Sequence, residues 1–128
     1  MSRTYLSASI KNQVILRANE CCEYCHKSNL VAYISHQIDH IISLKHGGNN
    51  DVDNLAYACY LCNVNKGSDI GTMLLPERIF IRLYNPRTDN WNEHFEIFEG
   101  KFYPKTPIAE ATIKILQLNE IERIMERK

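Results

Sequence analysis

Two Cys-x-x-Cys pairs, Cys22/Cys25 and Cys59/Cys62, bracket an Asp39-His40 step, a Gly47-Gly48 loop and Asn54. Asn63 directly follows the last cysteine, and Lys66 lies three residues beyond it. Each pair makes a tight turn with both sulfurs inward, so together they can bring four soft ligands onto one ion. Tetrahedral Zn2+ held by four thiolates is the usual outcome. Disulfides or a redox dithiol compete for the same residues. A redox Cys-x-x-Cys comes singly beside a βαβ pattern, however, and no such pattern is evident. Cys21 is the leftover thiol, because Cys22 has the better spacing to Cys25. The expectation is a structural Zn2+ on Cys22, Cys25, Cys59 and Cys62.

These side chains need a small scaffold. Residues 31–42 are rich in β-branched and aromatic types and read as a strand region ending at Asp39-His40. Residues 43–53 form a polar loop with two glycines, and 55–58 read as a second short strand. Residues 59–67 read as a short helix ended by a glycine. On that helix Asn63 and Lys66 share a face, and Cys59 and Cys62 share an adjoining one. One side can hold metal while the other presents an amide and an ammonium to a ligand.

The order Asp-His-Ile-Ile, Gly-Gly, Asn-Leu, Cys-x-x-Cys-Asn and Lys-Gly over residues 22–69 resembles the HNH endonuclease family. That resemblance implies an α+β fold with a ββα-metal core stapled by the four-cysteine site. It also implies hydrolysis of DNA phosphodiesters. Asp39 and Asn63 would hold a hard divalent cation, and two oxygen donors with open positions suit Mg2+ or Mn2+. Many relatives carry histidine at the last position, so asparagine here tilts the choice toward Mg2+. His40 would be the general base, since a free imidazole titrates near about 6.5 and takes a proton near neutrality. Asn54 would hold the loop and the His40 ring, and Lys66 would contact a phosphate beside the cut. One such site cuts one strand, so a double-strand break needs a homodimer or two visits. The competing reading is a non-catalytic zinc-bound module that binds nucleic acid or protein. A disulfide-bonded secreted domain is a third.

The 128 residues suffice for one domain with a real core, motif included. No apolar run approaches membrane-spanning length, and the first residues lack a signal-like segment. Reduced cysteines on metal then fit a cytoplasmic protein. The formal net charge is zero, which argues against strong non-specific affinity for nucleic acid. A local field suffices for an enzyme, so this is no veto.

Around the motif, residues 7–20 read as a helix capped by Ser7 or Ser9, with Ile10, Val14 and Ala18 as its apolar stripe. Residues 79–83 and 93–98 read as the strands of an accessory β-hairpin, with Phe102-Tyr103 adding a third past Glu99-Gly100. Thr106-Pro107 starts a C-terminal helix, and Asn119 with Glu122 resembles a fresh capping box. The apolar stripe of that helix is most simply core, though spacing alone does not distinguish it from a homodimer face. Among the remaining candidates, His26 and His46 read as surface residues. His36 shares a strand face with His40. Arg87 and His94 are candidate DNA contacts, for which hairpin packing is the plainer account.

Overall fold

The computed structural model describes residues 6–128. Its first helix, α1 (Ala8–Arg17), begins where the Ser7 hydroxyl accepts from the Ile10 amide. The expected stripe faces inward: Val14 is fully buried against Leu55 and Tyr57, with Ile10 and Ala18 beside it. Arg17 at its end donates to the carbonyls of Val52 (3.0 Å) and Leu55 (2.6 Å), which ties α1 to the central loop.

The centre of the molecule is an antiparallel pair, β1 (Gln37–His40) and β2 (Leu55–Ala58), followed directly by α2 (Tyr60–Lys66). Asp39 lies opposite Ala56 and His40 opposite Leu55. β2 is buried along its whole length. The strand expected over 31–42 is corrected to these four residues. A 3-10 turn at Asn29–Val31, capped by the Ser28 hydroxyl, and irregular backbone replace the rest. That segment exposes Leu30, Val31 and Tyr33, so its β-branched and aromatic composition does not reflect burial in a sheet.

The accessory region also differs from expectation. Residues 79–83 and 93–98 do not pair with each other. Instead β3 (Gly71–Leu74) pairs with β4 (Ile79–Arg82), and β5 (Phe95–Phe98) pairs with β6 (Lys101–Pro104). Residues 93 and 94 belong to a helical turn, α3 (Trp91–His94), capped by the Asn90 side chain on the Asn92 amide. The hairpin turn at Glu99-Gly100 is as expected.

α4 (Pro107–Leu116) starts with Thr106, whose hydroxyl accepts from the Ala109 amide, and with proline in the first turn. It ends at Gln117 in left-handed backbone, and α5 (Ile121–Arg127) follows. The break is where the sequence suggested, but no capping box makes it. Glu120 occupies the cap position without a side-chain bond. Asn119 turns to β6, accepting from the Phe102 amide (2.8 Å) and donating to the Phe102 carbonyl (2.9 Å).

The main core runs from the cysteine turns through Tyr84, Phe95 and Phe102 to Ala109, Ala111, Leu116 and Leu118. The stripe expected of the C-terminal helix is therefore core: Ala111 in α4 and Leu118 just past its end are fully buried. Trp91 locks the two halves together, its indole donating to the Tyr24 carbonyl at 3.0 Å while His26 stacks on its ring. The architecture is α+β, small antiparallel sheets among short helices. Among the described residues, no helix is long and apolar enough to cross a membrane.

Candidate metal centre and active site

Two turns carry the cysteines. In each, the second cysteine's amide points at the first one's sulfur: Cys25 to Cys22 at 3.4 Å and Cys62 to Cys59 at 3.4 Å. Cys59 thereby caps α2. All four Sγ atoms lie within 4.8 Å of one another and all four residues are buried. Sulfurs about 2.3 Å from a tetrahedral Zn2+ stand about 3.8 Å apart. The Cys25–Cys59 separation of 3.6 Å suits that geometry and is far too long for a disulfide bond of about 2.05 Å. The cluster is positioned for metal binding, and a four-thiolate donor set suggests zinc. As thiols, the four hold their protons unequally. Burial pushes Cys22 up, whereas hydrogen bonds from Cys22, Cys25 and Cys62 hold Cys59 far below the usual thiol range. Cys21 lies outside the cluster, bridged through its backbone to Ser28.

Between the first two ligands stands Tyr24, 1% exposed, whose hydroxyl donates to Asp39 Oδ2 at 2.8 Å. Asp39 itself is 4% exposed. Lys66 reaches it from α2: Nζ lies 3.3 Å from Oδ1 and 3.2 Å from Oδ2, and donates to the His40 carbonyl at 2.9 Å. The expectation that Lys66 shares an open face with Asn63 is thus corrected, because Lys66 is only 2% exposed. Its ammonium faces a carboxylate within the protein. Burial pushes the Asp39 carboxyl above its usual range, against the opposing pull of Lys66 and Tyr24. Burial likewise raises the Tyr24 phenol, and the Asp39 charge adds to it.

Asn63 is half-buried one turn before Lys66, and its side chain makes no hydrogen bond among the described residues. Asp39 and Asn63 offer hard oxygen donors, the chemistry that Mg2+ or Mn2+ requires.

His40 follows Asp39 at the end of β1, half-buried, with Nε2 2.8 Å from Asn50 Oδ1. An amide oxygen accepts only, so this contact places a ring proton on Nε2, and Nδ1 makes no hydrogen bond among the described residues. Asn54 is not the residue that holds this ring. Its side chain accepts from the Ile42 amide (2.9 Å) and donates to the carbonyls of Ile42 and Asn49 (both 2.8 Å). Asn54 thus closes the loop that carries Asn50, and its hold on His40 is indirect. Gly48 sits inside this closure, where a Cβ would run into the Ile42 carbonyl and crowd the Asn54 amide.

The other candidates fall elsewhere. His36 precedes β1, 6% exposed, with Nε2 at 2.8 Å from the Lys27 carbonyl, and so shares no strand face with His40. It does line the same groove as His40, beside Lys11, Gln37 and Tyr57. Arg87 pairs with Glu23, whose other oxygen accepts from the Tyr57 amide at 2.8 Å. His94 Nδ1 lies 2.6 Å from the Thr106 hydroxyl. Both are packing residues. His26 and His46 are exposed as expected.

Two participants were not singled out from the sequence, Tyr24 and Asn50; only Tyr24, flanked by the cysteine pair, stood where local spacing could have pointed to it.

Residues 22–69 match a family model described as HNH endonuclease, a span that contains both the cysteine cluster and the Asp39–His40 site. No curated protein and no solved structure matches the chain.

Proposed function

We propose, from the match of residues 22–69 to the HNH endonuclease family, that this chain is a metal-dependent endonuclease hydrolysing DNA phosphodiester bonds. The observation that carries the reading is the coincidence of that span with one compact site. There the His40 imidazole, held through Nε2 by Asn50, directly follows the buried Asp39 carboxylate, and Asn63 lies on α2 one turn before the Lys66 that pairs with Asp39. HNH proteins comprise nucleases, and their ββα-metal core corresponds in order to β1, β2 and α2. On this reading residues 1–128 form one domain, with the described elements outside 22–69 bracing that core.

His40 Nδ1 takes the proton from the attacking water while Asn50 keeps the opposite nitrogen protonated and the ring aimed. Asp39 and Asn63 would hold Mg2+ or Mn2+, which when bound polarises the phosphate and stabilises the departing 3′ oxygen. Lys66 neutralises the Asp39 carboxylate and fixes its orientation together with Tyr24. The phosphate contact first read for Lys66 requires its ammonium to leave that pairing. Asn54 keeps the loop closed, and Cys22, Cys25, Cys59 and Cys62 would hold a Zn2+ that ties the start of α2 to the Tyr24 turn.

The test is nicking of supercoiled plasmid with Mg2+ or Mn2+, for the wild type and for His40→Ala. Cleavage that needs the added cation and is lost in the variant is the expected result. DNA retention without nicking under either cation would make the chain a zinc-bound binding module instead.

A further inference from the structure

Arg123 is the one buried residue of α5 and is 5% exposed. Its guanidinium is split between two tasks. Nη1 donates to the carbonyls of Leu116 (2.7 Å) and Gln117 (3.2 Å), which end α4. Nη2 faces the cysteine cluster, 3.1 Å from Cys62 Sγ and 3.8 Å from Cys59 Sγ. We propose that Arg123 is the charge-compensating, positioning residue of the four-cysteine metal centre, so that the C-terminal helix is part of that centre. The inference rests on the four cysteines holding a divalent ion.

Four thiolates around a divalent cation leave a net charge of about −2 in a buried site, and an uncompensated buried charge is costly. No other cationic side chain donates to the sulfurs among the described residues. A planar fork can serve carbonyls with one nitrogen and sulfur with the other, which an ammonium on a flexible stem does less well. The same helix supplies a built-in contrast. Arg127 donates to the carbonyls of Gly100 (3.0 Å) and Leu118 (2.7 Å) and lies over the Phe102 ring, and among the described residues it makes no hydrogen bond to sulfur. Arg127 anchors α5 alone, whereas Arg123 anchors it and donates to the thiolates.

Arg123→Met and Arg127→Met, made in the full chain, separate these roles. Chelator competition should show the Zn2+ affinity of Arg123→Met reduced about 10- to 100-fold, the usual cost of removing an outer-shell partner. Arg127→Met should keep wild-type affinity despite a lower melting temperature. Loaded with Co2+, Arg123→Met should show its sulfur-to-metal charge-transfer band at lower energy, because the thiolates lose a donor. In Arg127→Met the band should not move. Arg123→Lys, which keeps the charge, should recover part of the affinity. In the wild type loaded with 113Cd, a through-hydrogen-bond coupling between the metal and the Arg123 Hη protons is expected. This measurement decides the matter even where Arg123→Met does not fold. Unchanged affinity and band in Arg123→Met, equal changes in both variants, or no such coupling would each overturn the inference. A wild-type chain that takes up neither Zn2+ nor Co2+ removes the centre itself, and the inference with it.

Discussion

Lys66→Met tests how the Asp39 carboxylate is kept inside the protein. The ammonium lies 3.2 Å from Oδ2, and both side chains are almost fully buried. At an effective dielectric of about 20 this separation gives an attraction of about 5 kcal/mol. Removing one partner of a buried pair leaves the other uncompensated, with typical losses of about 3–5 kcal/mol. Methionine keeps most of the lysine volume, so little of the loss should come from a cavity. Urea unfolding of zinc-loaded protein at neutral pH should therefore show Lys66→Met destabilised by about that amount. The double variant Asp39→Asn/Lys66→Met, with no charge left behind, should lose clearly less. Magnesium adds a second arm. A cation that binds the folded site at 100 times its dissociation constant stabilises it by about 2.7 kcal/mol. Lys66→Met, with its carboxylate vacated, should gain more from Mg2+ than the wild type, and the double variant should gain nothing. Equal stability of Lys66→Met and wild type, or an equal Mg2+ effect in all three proteins, would refute the reasoning.

His40→Ala should keep zinc content and DNA affinity while turnover falls about 10²–10⁴-fold, measured by single-turnover cleavage. A variant that cleaves at the wild-type rate would move the base elsewhere, with His36 the nearest candidate because it lines the same groove. Cys59→Ser should lose the metal and most of the fold, read by metal analysis and thermal melting, while Cys21→Ser should change neither. Gly48→Ala should open the loop closed by Asn54 and lower stability by about 1–3 kcal/mol in urea, the usual cost of forcing extra volume into a packed site. Wild-type stability in that variant would mean that the loop yields freely.

The cysteine cluster was legible because ligand spacing is a local constraint: two turns with inward sulfurs need only the Cys-x-x-Cys pattern and a helix start after it. α2 followed from the last cysteine pair and the glycine after it, whereas β1 was legible only at its C-terminal end, Asp39-His40. The fate of Lys66 was not legible. Helical periodicity shows that residues 63 and 66 share a face but not which part of it the β1 strand covers, and Asp39 draws the ammonium inward. Residues 31–36 misled because β-branched and aromatic side chains normally report burial, and here several are exposed. β3 went unread because Gly71 and Met73 weaken its strand character. Its partner β4 was then matched with the wrong segment. Asn119 fits a cap by type, yet the β6 backbone offers it both a donor and an acceptor, which one cap position cannot. Arg123 and Asn50 act through tertiary contacts that no local pattern encodes.

Tyr24 gives the first cysteine turn a reach beyond scaffolding. Its backbone lies between two candidate metal-binding cysteines, and its phenol ends on the Asp39 carboxylate, next in sequence to His40. Loosening the turn at Cys22 and Cys25 would therefore slacken the tether on Asp39 along with the fold around it. Replacing zinc by a larger ion would be felt as a small displacement at the carboxylate, one tyrosine's length away.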